Sequence, residues 1–185
     1  MTTPRTLYLV ACAAPPARQL KTPVREALRI GWQVCVILTP TAHRWALADL
    51  GAPSGLPLLE RMTGYPVRWE YGLPGAPDVL PPPDALLVAP LTCNTLNKWA
   101  AGIGDTLALG LITEALGLEI PIVALPHFNA AQAAHPAVPR SVRTLREAGV
   151  TLLLGEGGFT PRPPGGSHLH AFPWQAALDA LPPAR

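Results

Sequence analysis

Residues 85–106, ALLVAPLTCNTLNKWAAGIGDT, constrain the fold more than any other stretch of the chain. Ala85-Leu86-Leu87-Val88-Ala89 is a short unbroken apolar run, the pattern of a strand buried on both faces. Pro90 is expected to stop that strand. Thr92-Cys93-Asn94-Thr95 is a tight polar turn into a helix, with Asn94 or Thr95 as its cap. Gly104 breaks the helix, and Asp105 or Thr106 starts a second one with Leu107, Leu111 and Ala115 on one face. A strand that ends in small polar groups and free backbone N–H at a helix start is where open α/β sheets hold ligands. The same pattern also makes an ordinary strand–helix junction.

The rest of the chain repeats the alternation. Thr6–Ala11, Trp32–Leu38, Ile120–Leu125 and Val150–Leu154 read as strands, and Val67–Trp69 as a short additional one. Helices are predicted from about Ala17 to Ile30, from Pro40 through Trp45, and over Leu56–Met62. Further helices are predicted over Ala130–Ala134, Pro139–Ala148 and Trp174–Leu181. Pro23 falls in the first turn of the regular part of its helix, Gly31 ends that helix, and Pro136 separates two others. Residues 72–84 are a Pro-rich surface connection. Residues 155–168 hold Gly and Pro too densely for regular structure and are expected to be a mobile segment, one that either closes over a bound substrate or is an uninvolved surface loop. Strands alternating with helices predict an α/β fold: a Rossmann-like three-layer sandwich with a mostly parallel sheet, as one domain over 1–185.

Hydrophobic residues make up 49% of the chain and charged residues 14%, so some apolar surface is expected to meet another subunit. No apolar run reaches the roughly eighteen residues of a membrane span. The apolar N-terminal run reads as a strand, not as a signal peptide. Cys12, Cys35 and Cys93 show neither metal spacing nor a disulfide framework, which points to a reducing cytoplasm. Net charge is +2 with no basic stripe, so nucleic acid is not expected as a partner.

Two more loops follow strand carboxyl ends and face the same crevice as the central turn. Cys12-Ala13-Ala14-Pro15-Pro16 is small but lacks Gly. Thr39-Pro40-Thr41 offers two hydroxyls and helix-start N–H groups, suited to a phosphate or simply to capping. Beyond the fourth long strand comes Pro126-His127-Phe128-Asn129. The Asn129 amide can donate to a carboxylate or cap a helix. Phe128 can cover an apolar ligand or pack in the core.

Ala89 to Asp105, APLTCNTLNKWAAGIGD, resembles the P-x-S-A-N-T…K…G…D signature of the homo-oligomeric flavin-containing cysteine decarboxylases. Pro126 to Pro136, PHFNAAQAAHP, is similar to that family's second signature, P-x-M-N-x-x-M-W-x-x-P. Order and spacing agree, and the likeness spans about Thr6 to Leu154. The resemblance implies an enzyme with FMN, or FAD, at a subunit contact, in trimers or dodecamers built from them. By match to the motifs, Thr39 and Thr41 would meet the phosphate. Ala13 would stand in the phosphate loop, and Ala89, Pro90, Thr92, Cys93, Asn94 and Thr95 would lie along the flavin ring. Asn129 would hold the substrate carboxylate, with His127 and Phe128 beside it, and Asn94 and Asn129 are the implied catalytic residues.

The sequence departs from the family in four places. Cys12-Ala13 stands where the phosphate loop has Gly-Ser. The usual catalytic His would fall near Ala76, yet no His occurs between Arg44 and Pro126. A thiol already ionises partly near neutrality, so its loss slows the chemistry without forbidding it. Gln132 and Ala133 replace Met and Trp, which makes the lid over the substrate smaller and more polar. No Cys follows Cys93, whereas phosphopantothenoylcysteine decarboxylase uses a late Cys. Together these imply oxidative decarboxylation of a C-terminal cysteine in a precursor peptide to an enethiol, as in linaridin (cypemycin-type) pathways. Phosphopantothenoylcysteine decarboxylation and a non-catalytic flavin-binding regulator are the alternatives.

Overall fold

The computed structural model describes residues 4–48, 55–75, 77–165 and 172–184. The strands are β1 (Thr6–Ala11), β2 (Gln33–Leu38), β3 (Ala85–Leu91), β4 (Ile122–Pro126) and β5 (Thr151–Leu152). They form one sheet in the order β2-β1-β3-β4-β5, and every pairing is parallel. The helices are α1 (Lys21–Arg29), α2 (Pro40–Ala48), α3 (Leu56–Thr63), α4 (Cys93–Ala100), α5 (Leu107–Gly117), α6 (Ala130–Ala133), α7 (Ala137–Glu147) and α8 (Trp174–Asp179), and a 3-10 turn over Pro15–Gln19 precedes α1. The fold is therefore the expected three-layer α/β sandwich. None of the described helices is long and apolar enough to cross a membrane.

Strand parity divides the core. Tyr8 and Val10 of β1 and Leu86 and Val88 of β3 face the layer of α4, α5 and α7, where Leu96, Trp99, Ile112, Val142 and Leu145 meet them. Leu7, Leu9, Ala85 and Leu87 face the opposite layer and pack on Val24, Ala27, Leu59, Ala177 and Leu178. Leu7, Leu9, Leu86 and Leu87 are almost wholly buried. Each such side chain contributes about 1.5–3 kcal/mol by leaving water, so the central strands hold the sandwich together.

Pro90 does not stop β3, which runs on to Leu91. The Pro, which lacks an N–H, falls where the β3–β4 register shifts between Val88 and Leu91, a position that asks no ladder hydrogen bond of it. The Pro90 carbonyl accepts from the Cys12 N–H at 3.0 Å, and the Leu91 carbonyl accepts from the His127 N–H at 2.8 Å. The carboxyl ends of β1, β3 and β4 are thus tied together beyond the regular ladder.

Val67–Trp69 yields only a single bridge, Ile37 to Arg68, and the last strand shrinks to Thr151–Leu152. The segment after it folds back. Phe159 donates its N–H to the Leu153 carbonyl at 3.0 Å, Gly155 donates to the Phe159 carbonyl at 3.0 Å, and Ala130 donates to the Arg162 carbonyl at 2.8 Å. Residues 155–165 therefore form a strap across the end of β4, and 166–168 lie outside the described residues.

Candidate active site

The direction of strand addition reverses between β1 and β3: β2 lies on one side of β1, and all later strands lie on the other. Helices after β1 and β3 leave to opposite faces there, which opens a crevice at the strand carboxyl ends. A cleft of about 480 Å³ occupies that place, within the roughly 300–1,000 Å³ usual for small-molecule and cofactor sites.

Its β3 wall is the Thr92–Asn94 turn. Thr92, not Asn94 or Thr95, caps α4: its Oγ1 accepts from the Thr95 N–H at 3.4 Å. The Thr92 hydroxyl donates to Thr95 Oγ1 at 3.1 Å. Thr95 is buried and lines no part of the cleft. Capping by Thr92 leaves the first-turn N–H groups of Cys93 and Asn94 outside the helix ladder, as at any helix start. Lys98 and Asp105 form an ion pair from α4 to the entry of α5, which gives two letters of the first signature a clamping role. Thr106, not Asp105, caps α5, accepting from the Leu109 N–H at 3.2 Å.

The β4 wall is His127-Phe128-Asn129. Asn129 Oδ1 accepts from the Gln132 N–H at 2.8 Å, and Gln132 Oε1 accepts from the Asn129 N–H at 3.1 Å. This reciprocal capping box orients the Asn129 amide. A backbone donor must meet oxygen, so oxygen faces the helix and the NH₂ is the end left over. Capping and ligand donation, alternatives in the sequence, are compatible in one side chain. Phe128 is buried and also borders the cleft, so its two roles coexist as well.

The β1 wall is Ala13-Ala14-Pro15. Cys12 lies beneath it, fully buried, with its thiol hydrogen-bonded to Thr92 and Thr95. Burial pushes that thiol up despite those bonds, and burial pushes Cys35 up to about 12. Both are inert packing groups. Cys93 is partly exposed in the cleft, and burial raises its thiol against the opposing bond donated by Asn97 Nδ2 at 3.5 Å.

The remaining predicted residues lie elsewhere. Ala89 and Pro90 are buried in β3. Thr39 Oγ1 accepts from the Ala42 N–H at 3.4 Å, and Thr41 Oγ1 accepts from Arg44 Nη2 at 2.8 Å. Both hydroxyls therefore support the start of α2, and neither residue lines the cleft. Ala76 falls outside the described residues. His43 stacks on Trp69 at 4.2 Å between ring centroids, away from the cleft.

The far wall is Gly158, Phe159, Thr160 and Arg162 of the strap, with Phe172 and Pro173 before α8; the sequence offered 155–168 as a segment that closes over the site or stands apart from it, and singled out none of these residues. Phe159 and Phe172 flank the His127 ring at centroid distances of 5.0 and 5.7 Å. A lone Phe inside GEGGFTP was the one available sign. Gln132 was visible through the Asn-x-x-Gln capping-box spacing.

The lining suits a flat, mostly apolar ring with polar edges. Ala13, Ala14 and Phe128 give smooth apolar surface, while Cys93 and Asn94 N–H and the Asn94 and Asn129 amides give donors at the rim. That donor set fits a flavin ring. The sequence model of the Flavoprotein family matches residues 66–165, more than half of the chain. The chain belongs to the Flavoprotein family. It is 29% identical to the coenzyme A biosynthesis bifunctional protein CoaBC of Thermococcus kodakarensis over 133 residues, which cover 70% of this chain and 31% of that protein. The match spans about a third or less of each curated relative. The FMN-dependent cysteine decarboxylase SpaF superposes with TM-score 0.65 at 23% identity, covering 95% of this chain and 97% of that one. The peptidyl-cysteine decarboxylase EpiD gives TM-score 0.64 at 18% identity over 81% and 85%. At these identities the superpositions establish the fold.

Proposed function

We propose that this chain is a flavin-dependent decarboxylase that removes CO₂ from the C-terminal cysteine of a precursor peptide and releases an enethiol. FMN is the proposed cofactor, with FAD the alternative. A carboxylate beside a saturated carbon has nowhere to leave its electron pair. The bound flavin supplies a two-electron acceptor for the Cβ–SH unit, and the thiocarbonyl so made is the sink that lets CO₂ depart. The chain's own residues position, desolvate and recognise.

The observation that carries the reading is Asn129: its oxygen is committed to the capping box, so its NH₂ is the donor offered to a terminal carboxylate at the cleft. In this reading Asn94 and the Thr92–Cys93 turn hold the ring edge, and Ala89, Pro90 and Thr95, buried behind that turn, back it from the core. Ala13, Thr39 and Thr41 serve the phosphate side, where the two threonine hydroxyls would exchange their present partners for it. His127 and Phe128 lie against the substrate. Arg162 at the strap attracts an acidic or phosphorylated substrate end. Exposed Tyr71, Leu73, Ile103 and Leu118 support a contact between copies of this chain, in a trimer or a dodecamer of trimers. The three unpaired thiols support a cytoplasmic setting.

The absence of any Cys after Cys93 and the near-complete coverage of SpaF favour the peptide. The likeness to a coenzyme A biosynthesis protein favours phosphopantothenoylcysteine as the second reading. Purified protein given both substrates anaerobically decides, with CO₂ release and product mass as readouts. Enethiol from the peptide alone is expected. Turnover of phosphopantothenoylcysteine alone contradicts the peptide reading, and turnover of neither leaves a flavin-binding regulator.

A further inference from the structure

We propose that His127 is the proton acceptor for the substrate thiol, an assignment that rests on the reading above of a thiol substrate in this cleft. Among the described lining residues only Cys93, His127 and Arg162 carry titratable groups, and no carboxylate is present. A guanidinium is a donor with no acceptor atom to offer, and Cys93 is a thiol raised above its ordinary range by burial. That leaves one imidazole to take a proton near neutrality. His135 cannot compete: its Nδ1 accepts from the Ala137 N–H at 3.2 Å, and it lines no part of the cleft.

The placement of His127 is built, not incidental. Its backbone N–H is held by the Leu91 carbonyl at the end of β3. Its ring sits between Phe159 of the strap and Phe172 ahead of α8. Those neighbours desolvate the imidazole and hold it below its ordinary value of 6.5, so the neutral, accepting form prevails at pH 7. The ring centroids of Phe159 and Phe172 lie 5.0 and 5.7 Å from the imidazole, tilted and edge-on, which fixes the ring against the cleft wall. The groups facing it across the cleft are Cys93 on α4, neutral when protonated, and Arg162 on the strap, which opposes a second positive charge.

In the step, the substrate S–H bond breaks, an imidazole N–H bond forms, and the electron pair stays on sulfur as thiolate. The thiolate is the form of the substrate that a bound flavin would oxidise by two electrons, itself being reduced, and the imidazolium gives its proton to solvent.

The test compares wild type with His127→Phe, which keeps an aromatic ring between Phe159 and Phe172, and His127→Gln. A free thiol with pKa about 8.5 is only about 3% ionised at pH 7. Both variants should therefore release CO₂ more slowly at pH 7, by up to about 30-fold if wild type ionises the thiol fully, with the deficit shrinking to at most about 4-fold at pH 8 as solvent supplies thiolate. The wild-type rate should fall on the acid side, below pH 6.5, and the variants should instead follow the thiol. A second readout is the ultraviolet thiolate absorbance of a Cys-ended peptide bound to pre-reduced protein, which cannot turn over. Its midpoint should lie below the free thiol's in wild type and return to it in both variants. Superimposable pH–rate profiles overturn the assignment. Should wild type decarboxylate no peptide, the functional reading fails, while an identical thiolate midpoint in wild type and His127→Phe separately overturns the role of His127.

Discussion

In the proposed reading Asn129 serves fold and chemistry with one side chain: its oxygen caps α6 and its NH₂ is left for the substrate. Asp caps a helix as well as Asn does, so Asn129→Asp retains the acceptor for the Gln132 N–H and leaves α6 in place. It replaces the outward NH₂ with a second oxygen, which repels a substrate carboxylate. The variant should melt within about 1 kcal/mol of wild type, keep its visible absorbance, and lose CO₂ release by at least about 100-fold, measured by product mass after a fixed time. Unchanged turnover removes Asn129 from the site. Residue roles of this kind were only half legible in the sequence. Thr92, Asn94 and Thr95 are all good caps, and choosing among them needs the backbone angles at the turn. Thr92 wins because its extended φ of −78° and ψ of 156° precede the first helical residue. Cys12 reads as a loop residue, and only its burial under the Thr92–Thr95 turn reveals it as packing.

At the scale of elements, the strap depends on close backbone approach. A Cβ on Gly158 would lie 2.3 Å from the Leu153 carbonyl oxygen, a backbone atom that cannot swing aside. Gly158→Ala should lift the strap from the end of β5 and displace Phe159 from His127 and Phe128. The expected outcome is a several-fold rise in KM for the peptide and faster protease cleavage within 155–165, with the sheet core unaffected. Wild-type KM and cleavage rate would show that the strap tolerates the shift. The ordered path of this element was not legible beforehand, because Gly and Pro at such density erase periodicity. Its order comes from long-range bonds to Leu153 and Ala130. The strands were legible for the opposite reason: a run such as Val34-Cys35-Val36-Ile37-Leu38 fits only a strand covered on both faces. Even there, Pro90 misled, because the register shift that accommodates it is a property of the β3–β4 pair and not of β3 alone.

For the whole molecule, the strand order places the reversal point where β1, β3 and β4 end together, and the cleft follows from that topology. Seven residues singled out from the sequence converge there: Ala13, Thr92, Cys93, Asn94, His127, Phe128 and Asn129. They come from three loops separated by tens of residues, and only parallel strands in this order bring them together. The far wall, Gly158, Phe159, Thr160 and Arg162 with Phe172 and Pro173, belongs to no predicted helix or strand, so beforehand only the option that 155–168 closes over the site was legible, not which residues would do so. The most direct measurement is to denature the purified protein and identify the released chromophore by mass spectrometry and visible absorbance. A single flavin mononucleotide per chain, lost when Asn94 and Thr92 are both changed to Leu, is the predicted result. A colourless protein, or one whose chromophore is not a flavin, would contradict the assignment of this cleft.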